Sequence, residues 1–145
     1  MMNGMGLSSY PGQYMAVPHG DTIYFSAAVE QQGTELWAHD TSNLSTWKVV
    51  DIDASIWGSE PGYWMEILVG DTLYFSADDG STGYELWAHD TSNHSTWRVA
   101  DINSGSGSSD PGNYLEGHLI GDTMYFSAND GSCLLYTSPS PRDRG

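Results

Sequence analysis

The sequence predicts an all-β fold: a fragment of a β-propeller-like repeat protein built of four-stranded antiparallel blades. Three observations carry this. The chain repeats itself, since GDTLYFSADDGSTGYELWAHDTSNHSTWRVADI from Gly70 to Ile102 matches GDTIYFSAAVEQQGTELWAHDTSNLSTWKVVDI from Gly20 to Ile52, and GDTMYFSANDGS starts again at Gly121. The joining segments keep step, with Pro11-Gly12, Pro61-Gly62 and Pro111-Gly112 each 50 residues apart, a period that marks propellers, solenoids and arrays. Each repeat also holds four short runs rich in β-branched and aromatic residues, separated by turn signals every ~8–12 residues.

The organisation follows. Residues 1–19 end a truncated repeat, 20–69 and 70–120 are complete repeats, and 121–132 begin another truncated one. A closed ring needs at least about four blades, so an open array of the same hairpins is the alternative architecture. Cys133–Asp143 reads CLLYTSPSPRD and breaks the repeat. It resembles, codon by codon, one translated frame of a transposase sequencing adapter, so 133–145 is expected to be non-native.

Within each repeat the first strand follows Pro-Gly: Tyr14–Val17, Trp64–Val69 and Tyr114–Ile120. Its apolar character predicts burial on both faces, and the extra residue in the third copy predicts a bulge around Gly117-His118. A Gly-Asp turn leads to the second strand, Thr72–Ala77, where Leu73, Phe75 and Ala77 share one face and Thr72, Tyr74 and Ser76 the other. The third strand is Glu85–Asp90, the fourth Thr96–Ile102, and Asn103–Gly112 is the joining loop.

Composition narrows the function classes. The chain has 19 acidic and 4 basic residues, a net charge of −15. Setting the tail aside leaves Lys48 and Arg98 against 18 acids (19 less Asp143) and no cysteine, because Cys133 is the only one. Such a charge repels phosphate backbones, which disfavours nucleic-acid binding, and disulfide or thiol chemistry is not expected of the native part. No apolar run approaches a membrane span.

The core GDTLYFSADDGSTGYELWAHDT, followed by ADINSGSGSSDPG, resembles the ELW-x-x-DGT repeat family of bacterial and archaeal surface proteins, with the departure that Asp40-Thr41 and Asp90-Thr91 lack an intervening glycine. A weaker similarity is to kelch blades, through Leu86-Trp87 and Trp97. The first resemblance implies an exported or cell-surface location and a propeller-like scaffold, and no reaction.

Candidate chemistry divides into what recurs and what does not. His39 and His89 sit beside Asp40 and Asp90 in successive repeats. A catalytic base is needed once per site, so their recurrence assigns them to the blade, for instance through a hydrogen bond to a neighbouring turn. Trp37, Trp47, Trp87, Trp97, Tyr24, Tyr74 and Tyr125 recur as packing aromatics. Trp57 and Trp64 have no tryptophan counterparts, which makes them the candidates for an exposed contact with glycans or other surface proteins. Asp51, Asp53, Asp101 and Asn103 put oxygen ligands at alternating positions, a candidate calcium site that lacks the glycine and glutamate of an EF-hand loop. Asp78-Asp79 with Glu85 form a second acidic cluster, which Asx-turns explain as readily as metal does. Asn43 and Asn93 head N-glycosylation sequons on equivalent turns. No catalytic residue is singled out. The expectation is a non-catalytic scaffold or binding module; the alternatives are the propeller portion of a secreted hydrolase or lyase, and a calcium-rigidified stalk.

Overall fold

The computed structural model describes residues 9–115, 117–131 and, in backbone only, 135–138. All of its regular structure is β, in antiparallel sheets, and no helix among the described residues is long and apolar enough to cross a membrane. The first sheet runs β1 (Ala16–His19), β2 (Thr22–Val29), β3 (Gly33–Asp40) and β4 (Ser45–Val50), each paired with the next. The second repeats that order with β5 (Glu66–Val69), β6 (Thr72–Asp78), β7 (Tyr84–Asp90) and β8 (Ser95–Ala100). A third sheet pairs β10 (Thr123–Asn129) with β9 (His118–Ile120) and with β11 (Leu135–Ser138). By internal contacts the chain divides into two compact units, one of 1–63 with 78–80 and the other of 64–77 with 81–145.

The hairpins follow their turn residues. Gly20 and Gly70 carry φ of 60° and Gly121 63° at two-residue turns, where glycine leads a type II′ turn. After the third strand, Asp40 Oδ1 accepts from the amide and hydroxyl of Ser42 (2.8 and 2.6 Å), and Asn43 Oδ1 from those of Ser45 (2.9 and 2.6 Å). Asp90, Ser92, Asn93 and Ser95 reproduce the set. The turn closes through a residue at φ 63°, Leu44 or His94.

The second strands alternate as their sequence dictates: Leu73, Phe75 and Ala77 are fully buried, while Thr72 and Tyr74 are half-buried. In the second unit the equivalent face of β10 (Met124, Phe126 and Ala128) packs with Met65 and Leu86, flanked by Ile67, Tyr74, Val99 and Ile102. Sheet faces bury one another here, and this is where the apolar area that drives folding is removed from water.

Two expectations about the first strand are corrected. The first strand begins at Ala16 and Glu66, two residues later than predicted. A serine on the second strand explains this, because Ser76 Oγ accepts the amides of Trp64 and Met65 (2.9 and 3.4 Å), as Ser26 Oγ does those of Tyr14 and Met15 (2.9 and 3.3 Å). These edge strands are also not covered on both faces: β1 and β5 are at most half-buried and β9 is exposed. The fourth strand carries a register shift that the sequence does not announce: Leu36–Trp37 faces Val50 and Lys48, and Leu86–Trp87 faces Ala100 and Arg98, leaving Val49 and Val99 as the extra residues. His118–Ile120 pairs regularly.

Finally, Leu135–Ser138 lies in the stretch set aside on sequence, yet it pairs with Phe126–Asn129. An open strand edge offers a row of unpaired backbone groups, and this leucine-, tyrosine- and threonine-bearing segment has strand propensity. Leu135 opposite Asn129 puts Tyr136 at the register position that glutamate holds in the two complete repeats.

Candidate functional site: buried glutamates at the repeat joints

The most unusual chemistry in the chain is a pair of buried carboxyls, Glu35 on β3 and Glu85 on β7, both essentially without solvent exposure. Glu35 accepts from the amides of Ile52 (3.1 Å) and Asp53 (2.8 Å) and from the Ser59 hydroxyl (2.5 Å). Glu85 accepts from the amides of Ile102 (2.8 Å), Asn103 (3.4 Å) and Ser109 (3.2 Å), and from the Ser109 hydroxyl (2.8 Å). One side chain thus gathers the chain leaving the fourth strand and the loop 24 residues downstream.

The loop is drawn in by backbone contacts as well. Thr34 and Gly58 form a parallel bridge, and Glu60 N donates to Thr34 O (3.1 Å). The approach is so close that a Cβ on Gly33 would lie 2.3 Å from Gly58 N, and one on Gly83 2.5 Å from Ser108 Oγ. Only glycine fits there. The joint serine also reaches forward, because Ser59 O accepts from Asp78 N (3.0 Å) and Ser109 O from Asn129 N (2.8 Å).

Burial pushes both carboxyls up to about 7, against the pull of their serine and amide donors; Asp51 adds to the rise at Glu35 and Asp101 at Glu85. Perturbed acids of this kind often mark active sites. Here the environment points elsewhere. The oxygens are occupied by donors of the chain itself, and neither carboxyl lines the two cavities described next.

One cavity, of about 260 Å³, is lined by Ser109, Asp110, Asn113, Tyr114, Ser127, Ala128 and Asn129. Burial raises the Asp110 carboxyl, with a Trp64 hydrogen bond opposing. The other, of about 190 Å³ and almost wholly apolar, is lined by Pro11, Gly12, Ala16, Ile23, Phe25 and His39.

The residues singled out from sequence fall in separate places. His39 and His89 pair with Thr46 and Thr96 across the sheet (Nδ1 to Oγ1 2.7 and 2.8 Å); their partner is a strand residue, not a turn. Burial holds His89 below the ordinary imidazole value, an effect to which His94 adds. Asp51 is exposed, 3.6 Å from Lys48 Nζ, whereas Asp53 is buried and accepts from Ser55 N (2.9 Å). Asn103 Nδ2 donates to Ser108 O (2.9 Å), and Asp101 lies half-buried beside it. Among the described residues no group of three or more His, Cys, Asp or Glu is gathered as metal ligands. Asp78 Oδ1 accepts from Gly80 N (2.8 Å), an Asx-turn. Asn43 and Asn93 are exposed on their turns.

The two unrepeated tryptophans differ sharply. Trp64, expected as an exposed contact, is half-buried and meets Tyr84 edge-on at 6.3 Å, because Ser76 pins its amide against the sheet. Trp57 is 77% exposed. Asp53 caps Ser55 N, Ser55 Oγ accepts Trp57 N (3.2 Å), and Gly58 is bridged to β3, so the exposed indole stands on an ordered loop.

No family model matches this chain, and no curated protein matches it. Its fold is similar to the crystal structure of the tricorn protease, with a TM-score of 0.57 and 17% identity over 93% of this chain. The chain spans 13% of that protein's length. At this identity the likeness concerns the fold alone.

Proposed function

We propose that the chain is a non-catalytic, propeller-type repeat module of an exported or cell-surface protein, and that it binds glycans through the ordered loop bearing Trp57. The observation that carries this reading is that the recurring glutamates, histidines and turn aspartates are spent on the repeat itself. The buried glutamates hold the joining loops, the histidines bond cross-strand threonines, and the aspartates close turns. Trp57 does none of this. A flat indole held in place on the surface suits stacking on the apolar face of a pyranose ring at little ordering cost. The propeller reading is supported by the 50-residue period and by sheet faces that bury one another.

Calcium is left out of the proposal, because Asp51 and Asp53 occupy different environments and Asp53 is taken up by its own loop. The test is titration of the chain with cello-, chito- and xylo-hexaose, alongside Trp57→Ala. Binding to one of them that weakens at least about tenfold in the variant supports the reading. Equal binding by both proteins, or none by either, removes the glycan role; release of new reducing ends would make the chain part of a hydrolase.

A further inference from the structure

The joint between repeats is made twice inside the chain and left half-made twice more. In the first unit Met15 is 2% exposed and sits on Gly62, where an added Cβ would lie 2.6 Å from the methionine Cβ. In the second unit Met65 is 1% exposed and sits on Gly112 with the corresponding distance 2.5 Å. Pro61 and Pro111, which precede these glycines, are fully buried. Each joint is thus a knob from one repeat in a notch formed by the next Pro-Gly, and glycine is required because a side chain would occupy the knob's place.

The next knob position is Leu115. Its backbone repeats the arrangement, with Leu115 O accepting from Ser127 N (3.0 Å) as Met15 O does from Ser26 N and Met65 O from Ser76 N (both 3.1 Å). Its side chain is nevertheless 37% exposed, and neighbouring Tyr114 is 72% exposed. The equivalent Tyr14 donates its hydroxyl to Glu60 (3.2 Å) and packs on Tyr63 at 5.1 Å. A cavity of about 260 Å³ lies beside Tyr114, between it and Asp110, Asn113 and Ser127.

Among the described residues, the notch that holds no knob is Pro11-Gly12. Pro11 is exposed, and a Cβ on Gly12 would meet nothing nearer than 3.7 Å. The apolar cavity there is floored by Ile23 and Phe25, the counterparts of Met124 and Phe126, which in the second unit are covered by Met65 and Ile67. Knob and notch are complementary by construction, since they are the two halves of one joint.

We infer that the chain self-associates head to tail, Leu115 and Tyr114 of one copy seating against Pro11, Gly12 and Phe25 of a second. The contact is heterologous: the surface used on one copy differs from that used on its partner. Such an interface closes into a ring or runs on as a filament, according to the rotation between copies. It is independent of any glycan at Trp57, which lies in neither half-joint.

The experiment is sedimentation equilibrium of the full chain from micromolar to near-millimolar concentration, with two exposed-site variants, Leu115→Arg and Ala16→Arg, whose circular dichroism is first matched to the parent. The parent is expected to show a mass rising with concentration above 15.8 kDa. Each variant alone, retaining only one usable half-joint, is expected to weaken association at least about tenfold. An equimolar mixture is expected to recover a 1:1 pair, because Leu115 is intact in one variant and the notch in the other. A parent that stays monomeric overturns the inference. So does a variant that associates like the parent, or a mixture no heavier than its components.

Discussion

Replacing Glu85 by alanine tests the joint most directly. Four donors converge on this carboxylate, but Ser109 N and Oγ also reach Tyr84 O, at 2.9 and 3.1 Å. Only the amides of Ile102 and Asn103 lose a partner outright. A buried donor left unsatisfied costs about 1–3 kcal/mol. Two give about 2–6 kcal/mol, and water entering the space vacated by the carboxyl holds the result to about 2–4 kcal/mol. That is a large share of the ~5–15 kcal/mol by which domains are stable. Glu85→Gln keeps one acceptor but turns an amide NH2 toward donors, and is expected to cost about 1–2 kcal/mol. Urea denaturation of the full chain reads both as a lowered midpoint at unchanged slope. The pH dependence separates this account from simple packing. A carboxyl held at about 7 in the folded chain, against 4.5 otherwise, keeps its proton where the unfolded chain has released it. Its contribution is therefore full below 4.5 and is lost as pH rises through about 7, and Glu85→Gln flattens that decline. An alanine variant within 0.5 kcal/mol of the parent, or a glutamine variant with the parent's pH slope, would refute the reasoning.

Three further outcomes are expected. Ser76→Ala removes the acceptor of one buried and one partly buried amide and should cost about 1–2 kcal/mol by urea midpoint, with Ser26→Ala behaving alike. Leu44→Asn relieves a branched residue at φ 63° and should raise stability by about 0.5–1 kcal/mol, read as a higher thermal midpoint. Burial holds His89 below its ordinary 6.5, so its contribution is complete above that pH and is lost on acidification through the lower folded value; His89→Gln should flatten this acid-side loss.

The strands and turns were legible because period-two alternation and Gly-Asp or Asx chemistry are local. Leu73, Phe75 and Ala77 are buried together as their spacing requires, and Asp90-Thr91-Ser92-Asn93 turns as its side chains dictate. What escaped the sequence was tertiary competition for backbone amides. Ser76 reads as one more residue on the face of Thr72 and Tyr74, yet its hydroxyl captures the two amides that would have begun the first strand. Glu85 reads as part of an acidic cluster, because nothing local shows that a loop returns to cover it. The signal was present at longer range: glutamate recurs at 35 and 85, and each is followed 24 residues on by a serine two positions before Pro-Gly. Trp64 was misplaced for the same reason, its exposure being set by Ser76 and not by its neighbours in the chain.

The position of the joint serine bears on how such a gene can lengthen or shorten. Ser59 faces both ways, its hydroxyl on Glu35 and its carbonyl on Asp78 N. Unequal crossing-over that inserts or deletes a whole 50-residue unit reproduces every serine with both of its partners. A one-residue slip within the 24-residue span misplaces the hydroxyl and strands a carboxyl in the interior. The third copy carries its additional residue, around Gly117-His118, outside that span. Lineages descending from this sequence should therefore differ in copy number far more readily than in the length of the segment between glutamate and serine.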